Sequence, residues 1–308
     1  MATRRGELRL MSFNVRTGFA DFTPSTIWKS PFSTNCRRKA CAACILEHAP
    51  DVVATQEALV WQLRDLRKDL GGRYAYVGRS RGTSWFNDET SAILYDCYRW
   101  EVKTSRGMAL TGDFMLSPTP KAWGSAYPGA SYPMITTWVV LGPRGVIGGP
   151  LFLVASTHLD PCSKEVRAIS AKQAREEAET LRRLHGCSHA FVLGDFNADF
   201  TEEAYETFLG NGWLDVYRRH HGEYERGSNT FHAFHGLDYR PAGPEESDPE
   251  YCIDFIFALP ADVEVRSAQV DKRRYCADGP EGSDAGGIFP SDHYPVIADV
   301  VLPGRVAP

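Results

Sequence analysis

The sequence predicts an α/β sandwich: two packed sheets with helices on their outer faces. Three observations carry this expectation. Short apolar segments of strand length recur along all 308 residues. Amphipathic helical segments interrupt them in only two or three places, which is how helices cover sheets rather than form a bundle. No internal repeat or low-complexity linker divides the chain, so the length has to be filled by a large α/β fold.

The elements follow in chain order. "LRLMSFN" (8–14) reads as a buried strand, and a helix then runs to about residue 49. Within that helix, "CRRKACAACILEHAP" puts Cys41, Cys44 and Ile45 on one apolar face, with Arg37, Arg38 and Lys39 near its start. The C-x4-C-x2-C spacing of Cys36, Cys41 and Cys44 could also serve a metal or an iron–sulfur cluster. A fourth ligand has no obvious source, so the buried helix face is the better reading. "DVVATQE" (51–57) is a strand ending in an acid, and "ALVWQLRDLRKDL" a helix. "YAYVG" and "SAILYD" look like paired strands, followed by strands in "WEVKTSRGM", "ITTWVVL" and "LFLVASTHLD". "SKEVRAISAKQAREEAETLRRLHG" is a long amphipathic helix, capped by Ser163 and ended before Gly186. Then come a strand in "HAFVLGDFN", a helix in "TEEAYETFLG", and strands in "CIDFIFAL", "VEVRSAQV" and "HYPVIADVVL". Two polar loops, roughly 222–250 and 271–291, are too long to be simple connections, so they are functional or mobile.

Composition narrows the function. Hydrophobic content of 43% and charged content of 24% are ordinary for a globular protein. A net charge of -5 argues against a polybasic, salt-driven nucleic-acid binder, although a local basic groove can sit on an acidic protein. No stretch of about 18 apolar residues is present, so no membrane association is expected. The N-terminus lacks the apolar core of a secretory signal, and the eight cysteines read as mostly free thiols. A cytoplasmic protein, acting as a monomer, is the expectation.

Polar residues recur at strand ends: Asn14, Glu57, His158, Asp195 with Asn197, Asp254, and Asp292 with His293. Any one of them is explained by turn chemistry or by a local hydrogen bond. Six strand ends doing the same argue for convergence on one pocket, because unpaired acids near a core are costly. Glu57, Asp195 and Asp292 together hold too much negative charge unless a cation sits among them. Carboxylate and amide oxygens form a hard ligand set that suits Mg²⁺, with Mn²⁺ second. The implied chemistry is attack of water on phosphorus. Two histidines add acid–base capacity near neutral pH. Asp254 is the candidate partner for His293, and Glu89 for His158; a carboxylate on one imidazole nitrogen fixes the tautomer.

The stretches "MSFNVR", "QE", "STHLD", "LGDFNAD", "CIDFIF" and "SDHYPV", in this order, resemble the endonuclease/exonuclease/phosphatase superfamily, the DNase I-like fold. The resemblance spans about residues 8–302 and implies a single domain over 1–308. It implies a four-layer α/β sandwich of two mostly antiparallel sheets, with the site at one sheet edge. By the same resemblance Glu57 is the principal metal ligand, helped by Asn14 and Asp292. Asp195 orients or deprotonates the attacking water, and Asn197 contacts the scissile phosphate. His293, held by Asp254, binds phosphate and stabilises developing charge. His158 with Glu89 resembles the second histidine pair of that fold, a candidate for protonating the leaving group; which histidine is acid and which is base stays open. "VGRSRGTSWFNDETSAILYD", "FMLSPTPKAWGS" and "NTFHAFHG" look like a bacterial and fungal subgroup with a "TFHGF" stretch. Where that subgroup often has "PRIATW" this chain has "PMITTW", placing Met134 at the arginine position.

The expected partner is a phosphate ester, whether nucleic acid, nucleotide or small molecule. "GRSRG" (78–82) and "DKRR" (271–274) could form a phosphate-binding rim or a solvated surface. Of His232 and His235 in "NTFHAFHG", the second reads better as an exposed loop residue, and the first is open. One alternative is a non-catalytic binding protein that kept the fold, which predicts an eroded ligand set. Another is an enzyme of a different class using "DFN" only as a turn, which leaves Glu57 and the histidines unexplained.

Overall fold

The computed structural model describes residues 6–19, 26–29, 36–84, 86–224, 228–239, 252–276, 279–281 and 287–302. Its first half contains β1 (Glu7–Asn14), α1 (Arg37–His48), β2 (Val52–Gln56), α2 (Val60–Asp69), β3 (Tyr74–Val77), β4 (Ile93–Asp96) and β5 (Trp100–Val102). A small hairpin of β6 (Thr104–Ser105) and β7 (Met108–Ala109) follows, then β8 (Thr111–Met115) and β9 (Ile135–Pro143). The second half contains β10 (Phe152–His158), α3 (Lys164–Leu184), β11 (His189–Asp195), α4 (Glu203–Glu206), β12 (Leu214–Asp215) and α5 (Val216–His221). It ends with β13 (Asp254–Leu259), β14 (Glu264–Val270), the pair β15 (Arg274–Cys276) and β16 (Gly279–Glu281), and β17 (Val296–Val301).

Two sheets dominate. The first has the order β14-β17-β1-β2-β4-β3, and the second β12-β13-β11-β10-β9-β5, with β8 also on β9. Pairing is mostly antiparallel. The exceptions among these strands are β1 with β2 and β10 with β11, which run parallel. A parallel pair brings two strand ends out at the same edge, so Asn14 lies beside Gln56 and His158 beside Asp195.

Alternation along the central strands makes the layers. Leu8 and Leu10 of β1 and Ala54 of β2 pack inward against Val139, Val154, Phe191 and Ile256 of the second sheet. Met11, Phe13 and Val53 point the other way, onto Cys41, Cys44 and Ile45 of α1 and Leu63 and Leu66 of α2. On the far side, Leu153, Ala155 and Val192 meet Ala171, Ala174 and Ala178 of α3. The result is helix, sheet, sheet, helix: the four layers expected. Each fully buried aliphatic or aromatic side chain in these clusters is worth about 1.5–3 kcal/mol of transfer free energy.

The long helix begins as its sequence predicts, with the Ser163 side chain accepting from Val166 N. "TEEAYETFLG" departs from expectation: only Glu203–Glu206 is helical. Tyr205 and Phe208 are both drawn into the aromatic cluster around Phe255 and Phe257, and Gly210 turns the chain at φ 88°. The cysteine-rich helix is the buried face read from the sequence; Cys41 and Cys44 are fully buried, and Cys41 Sγ donates to Pro290 O at 3.2 Å. Parts of the two long loops lie outside the described residues. The described parts hold a short 3-10 turn at Gly236–Asp238 and the β15–β16 pair. No helix among the described residues is long and apolar enough to cross a membrane.

Candidate active site

The parallel pairs bring their ends together where the two sheets meet. Gln56 of β2 bridges the gap, its Nε2 donating to Ser156 Oγ of β10 at 3.2 Å, while Ser156 Oγ lies 3.3 Å from Thr55 O. Beyond that bridge the first sheet contributes Asn14 and Glu57, and the second contributes His158, Asp195, Asn197 and Asp254. Asp292 and His293 enter from the turn before β17. In "VLGDFNAD" the glycine is dictated by close approach: a Cβ on Gly194 would sit 2.0 Å from Thr157 O of the neighbouring strand. Phe196 anchors the turn, fully buried with edge contacts to Phe208 and Phe255. Asp195 and Asn197, on either side of it, are thereby turned toward the site.

Asn14, fully buried, is the hub. Its Nδ2 donates to Glu57 Oε1 and Asp195 Oδ2, each at 2.9 Å, and lies 3.5 Å from His293 Nε2. Its oxygen accepts from Arg16 N at 2.9 Å. Glu57 adopts φ 60°, which places its carboxylate where Thr17 N donates to it at 3.1 Å. Asn197 and Arg16 share this left-handed conformation, at φ 47° and 54°. Non-glycine residues held there cost about 1–3 kcal/mol each and cluster at functional sites.

The remaining members pair closely. Asp254 Oδ2 is 2.9 Å from His293 Nδ1, as expected. Asp254 Oδ1 is buried without a hydrogen-bond partner among the described residues. Asp195 Oδ1 accepts from Asn197 N at 2.9 Å, and Oδ2 lies 3.5 Å from His158 Nε2 and 3.7 Å from His293 Nε2. Asp292 Oδ2 binds Arg16 Nη1 at 2.5 Å.

Burial and like charge set the protonation states. Burial, with the neighbouring Asp254 carboxylate, pushes Asp195 up to about 7, against the pull of His293 and Asn14. Burial opposes a charged His293, but Asp254 and Asp195 outweigh it and lift the imidazole to about 10. Burial dominates at His158 and lowers it to about 4 despite Glu57. One histidine is therefore held charged and the other neutral, an environment that separates acid from base. Burial, then Glu57, raises Glu89 to about 7.

Several expectations are corrected. Glu89 does not partner His158; its Oε2 pairs with Arg81 Nη2 at 3.0 Å, while Arg81 N donates to Glu89 O at 2.8 Å. His158 Nε2 instead faces the amide of Asn197, 3.0 Å away, which fixes its proton on Nδ1. Asn197 spends its other N–H on Leu159 O at 3.0 Å, so neither amide donor points freely into the cleft. In "NTFHAFHG" the exposed His235 is a loop residue, as expected, and His232 is buried, stacked on Tyr294 at 3.9 Å. The residue of that stretch reaching the site is Phe231, which forms a bridge to His293 with its ring 5.0 Å away. "DKRR" lies away from the cleft lining: Asp271 is buried and takes His48 at 2.6 Å and Arg273 at 2.8 Å, while Arg273 and Arg274 are exposed, Arg274 over Phe289, which is the solvated-surface alternative. The nearby Cys44, His48 and Asp271 group has its carboxylate satisfied this way, with a guanidinium in the cluster, which is not the setting of a cation site.

The cleft at this edge has a volume of about 480 Å³. It is lined by Arg16, Glu57, Arg81, Glu89, Tyr132, Met134, His158, Pro161, Asp195, Asn197, Phe231, Ile253 and His293. Asn14, Asp254 and Asp292 stand just behind and hold the lining side chains. Sequence reasoning missed Arg16 as a cleft residue and Arg37 as its support. Arg37, fully buried in α1, donates to Val15 O at 2.7 Å and Thr17 O at 3.2 Å. Gln62 completes the brace, donating to Arg16 O and accepting from Gly18 N. Only the position of Arg37 on the apolar side of its helix hints at this.

Ligand atoms of Glu57, His158 and Asp195 lie within 4.8 Å of one another. Glu57, Asp195 and Asp292 bring three carboxylates, of which Arg16 offsets one. The buried acids and the orphaned Asp254 oxygen leave negative charge that a divalent cation fits.

A two-sheet α/β sandwich with this cluster at its edge defines the DNase I-like class. The chain belongs to the endonuclease/exonuclease/phosphatase family, whose model matches residues 11–293. Members of that family are phosphoesterases. Among solved structures, a family protein from Bacteroides thetaiotaomicron is similar at 27% identity and TM-score 0.76, covering 96% of this chain and 98% of that one. A mannosyl-6-phosphatase from the same organism is 28% identical, with TM-score 0.74, over 96% of this chain and 99% of that one. The human Nocturnin catalytic domain, at 18% identity and TM-score 0.67 over 98% of this chain and 96% of that one, shares the fold. No curated protein sequence matches the chain.

Proposed function

We propose that this chain is a divalent-metal-dependent phosphoesterase, using Mg²⁺ or Mn²⁺ to hydrolyse a small phosphate ester. The observation that carries this reading is the convergence of Asn14, Glu57, His158, Asp195, Asp254 and His293, from both sheets, on one cleft. Glu57 and Asp292 would hold the ion. Asn14 would join them through its oxygen if its amide turned over. The bound ion supplies charge neutralisation at the phosphate oxygens.

The protein's own groups do the rest. Asp195, lifted to about 7, accepts the proton of the attacking water near neutral pH. His293, kept charged by Asp254, presents Nε2–H to the phosphate and stabilises charge as it develops. Asn197 fixes the tautomer of neutral His158, whose imidazole stands beside Asp195 and completes the wall against which the water is held. A cleft of about 480 Å³ suits a nucleotide or sugar phosphate better than a duplex. The similarity to a mannosyl-6-phosphatase supports the same substrate size.

The test is a panel assay in Mg²⁺ or Mn²⁺ with DNA, RNA, nucleotides and sugar phosphates, with Asp195→Asn as the control. Turnover of a small ester, lost in the variant, supports the reading. Absence of turnover across the panel with either metal refutes it.

A further inference from the structure

Arg81 lines the cleft, and the expected His158–Glu89 pairing leaves it unexplained. Its side chain is 15% exposed, so the guanidinium is largely withdrawn from water. Nη2 meets Glu89 Oε2 at 3.0 Å, and Nη1 meets the thioether of Met134 at 3.1 Å. The ring of Tyr132 lies 5.1 Å from the guanidinium carbon. A guanidinium has five N–H donors. Here, among the described residues, one carboxylate oxygen and one weak sulfur acceptor occupy it, in a place where unsatisfied donors are costly. Arg81 also faces His158, whose charged form it disfavours, so it stands within the electrostatic reach of the Glu57, His158 and Asp195 group.

We propose that Arg81 is a specificity-determining residue that grips the third non-bridging oxygen of a terminal phosphate, making the cleft selective for phosphomonoesters over diesters. This rests on the phosphoesterase reading above. A monoester carries close to two negative charges at pH 7, because its second pKa is about 6. A diester carries one charge and has only two non-bridging oxygens, which a bound ion and His293 would take up. The third oxygen of a monoester would be left for Arg81, which lines the same cleft and offers a charge-assisted, forked contact. In a diester that place is taken by an uncharged ester oxygen and its substituent, against a wall formed by Arg81, Tyr132 and Met134.

The experiment compares kcat/KM for 4-nitrophenyl phosphate and methyl 4-nitrophenyl phosphate in Mg²⁺, for the wild-type chain and for Arg81→Met and Arg81→Lys. Arg81→Met is expected to lower monoester kcat/KM about 10²-fold and diester kcat/KM by no more than about threefold, the loss of a hydrogen bond to a charged group. Arg81→Lys falls between, keeping charge without the fork. Melting temperatures establish that each variant is folded. Equal losses on both esters in Arg81→Met overturn the assignment of Arg81 alone. Failure of the wild-type chain to hydrolyse either ester or any member of the panel above overturns the phosphoesterase reading beneath it, whereas cleavage of diesters and of no monoester overturns the Arg81 assignment alone.

Discussion

Replacing Asp195 with asparagine tests the chemistry at its centre, because the two side chains have nearly the same shape. The oxygen of the new amide can still accept from Asn197 N, which lies 2.9 Å from Asp195 Oδ1 in the native chain. The amide nitrogen then faces Asn14 Nδ2, which lies 2.9 Å from Asp195 Oδ2, so one donor opposes another. Such an unmade buried hydrogen bond costs about 1–3 kcal/mol. Relief of the buried carboxylate offsets part of that, since burial and Asp254 already lift Asp195 to about 7. The fold should therefore survive with a loss of about 1 kcal/mol. Catalysis should not. Removing a positioned proton acceptor costs about 10²–10⁴ in rate, or about 3–5 kcal/mol of barrier at 1.36 kcal/mol per tenfold. Initial rates on the best small ester, with circular dichroism and a thermal melt on the same preparation, separate the two effects. A variant that stays folded and keeps kcat within about threefold of wild type refutes the role given to Asp195; the general-base range begins far above that.

Other outcomes follow from the same geometry. Gly194→Ala should destabilise by about 3 kcal/mol or more, read as a lower melting temperature or loss of soluble protein, because the added Cβ meets Thr157 O at 2.0 Å. An unchanged melting temperature would show that β10 and β11 can part at that point. Chelation should abolish hydrolysis, and Mg²⁺ or Mn²⁺ should restore it; full turnover in excess chelator would exclude the metal role of Glu57 and Asp292. Burial pushes the Asp271 carboxyl up, but hydrogen bonds from His48, Arg273 and Tyr275 hold it well below the usual range. A depressed carboxyl stabilises the fold above its unfolded pKa of about 3.9, and that contribution is lost as pH falls toward the folded value. Asp271→Asn should cost about 3 kcal/mol at pH 7, and the gap to wild type should narrow in chemical denaturation as pH drops below about 4.

What was legible in the sequence, and what was not, divides along a physical line. Asn14, Glu57, Asp195 and His293 could be read because each interrupts an apolar strand at its end, a signal contained within a few residues. The two-sheet architecture was legible for the same reason, since alternation in β1 and β10 separates inner from outer faces without any knowledge of partners. Pairings across elements carry no such signal. Glu89 looked available to His158, but the backbone bond from Arg81 N to Glu89 O brings the two side chains of that loop together first. Arg37 sits among charged residues at a helix start, where solvation is the ordinary outcome; the folded loop 15–17, with Thr26, supplies the carbonyls that make its burial tolerable. The short α4 fails as a prediction because aromatic packing of Tyr205 and Phe208 outweighs local helix propensity.

The bridge from Gln56 to Ser156 joins halves of a machine that come from separate stretches of chain. Neither sheet owns a complete set: one carries Asn14 and Glu57, the other His158, Asp195 and Asp254. A partly folded chain, however much secondary structure it has formed, holds no complete cluster, so whatever chemistry the cluster performs requires the two sheets to be docked. Slippage at that seam, caused by a substitution such as Leu10→Ala deep between the layers, would silence the protein without touching any residue that meets substrate.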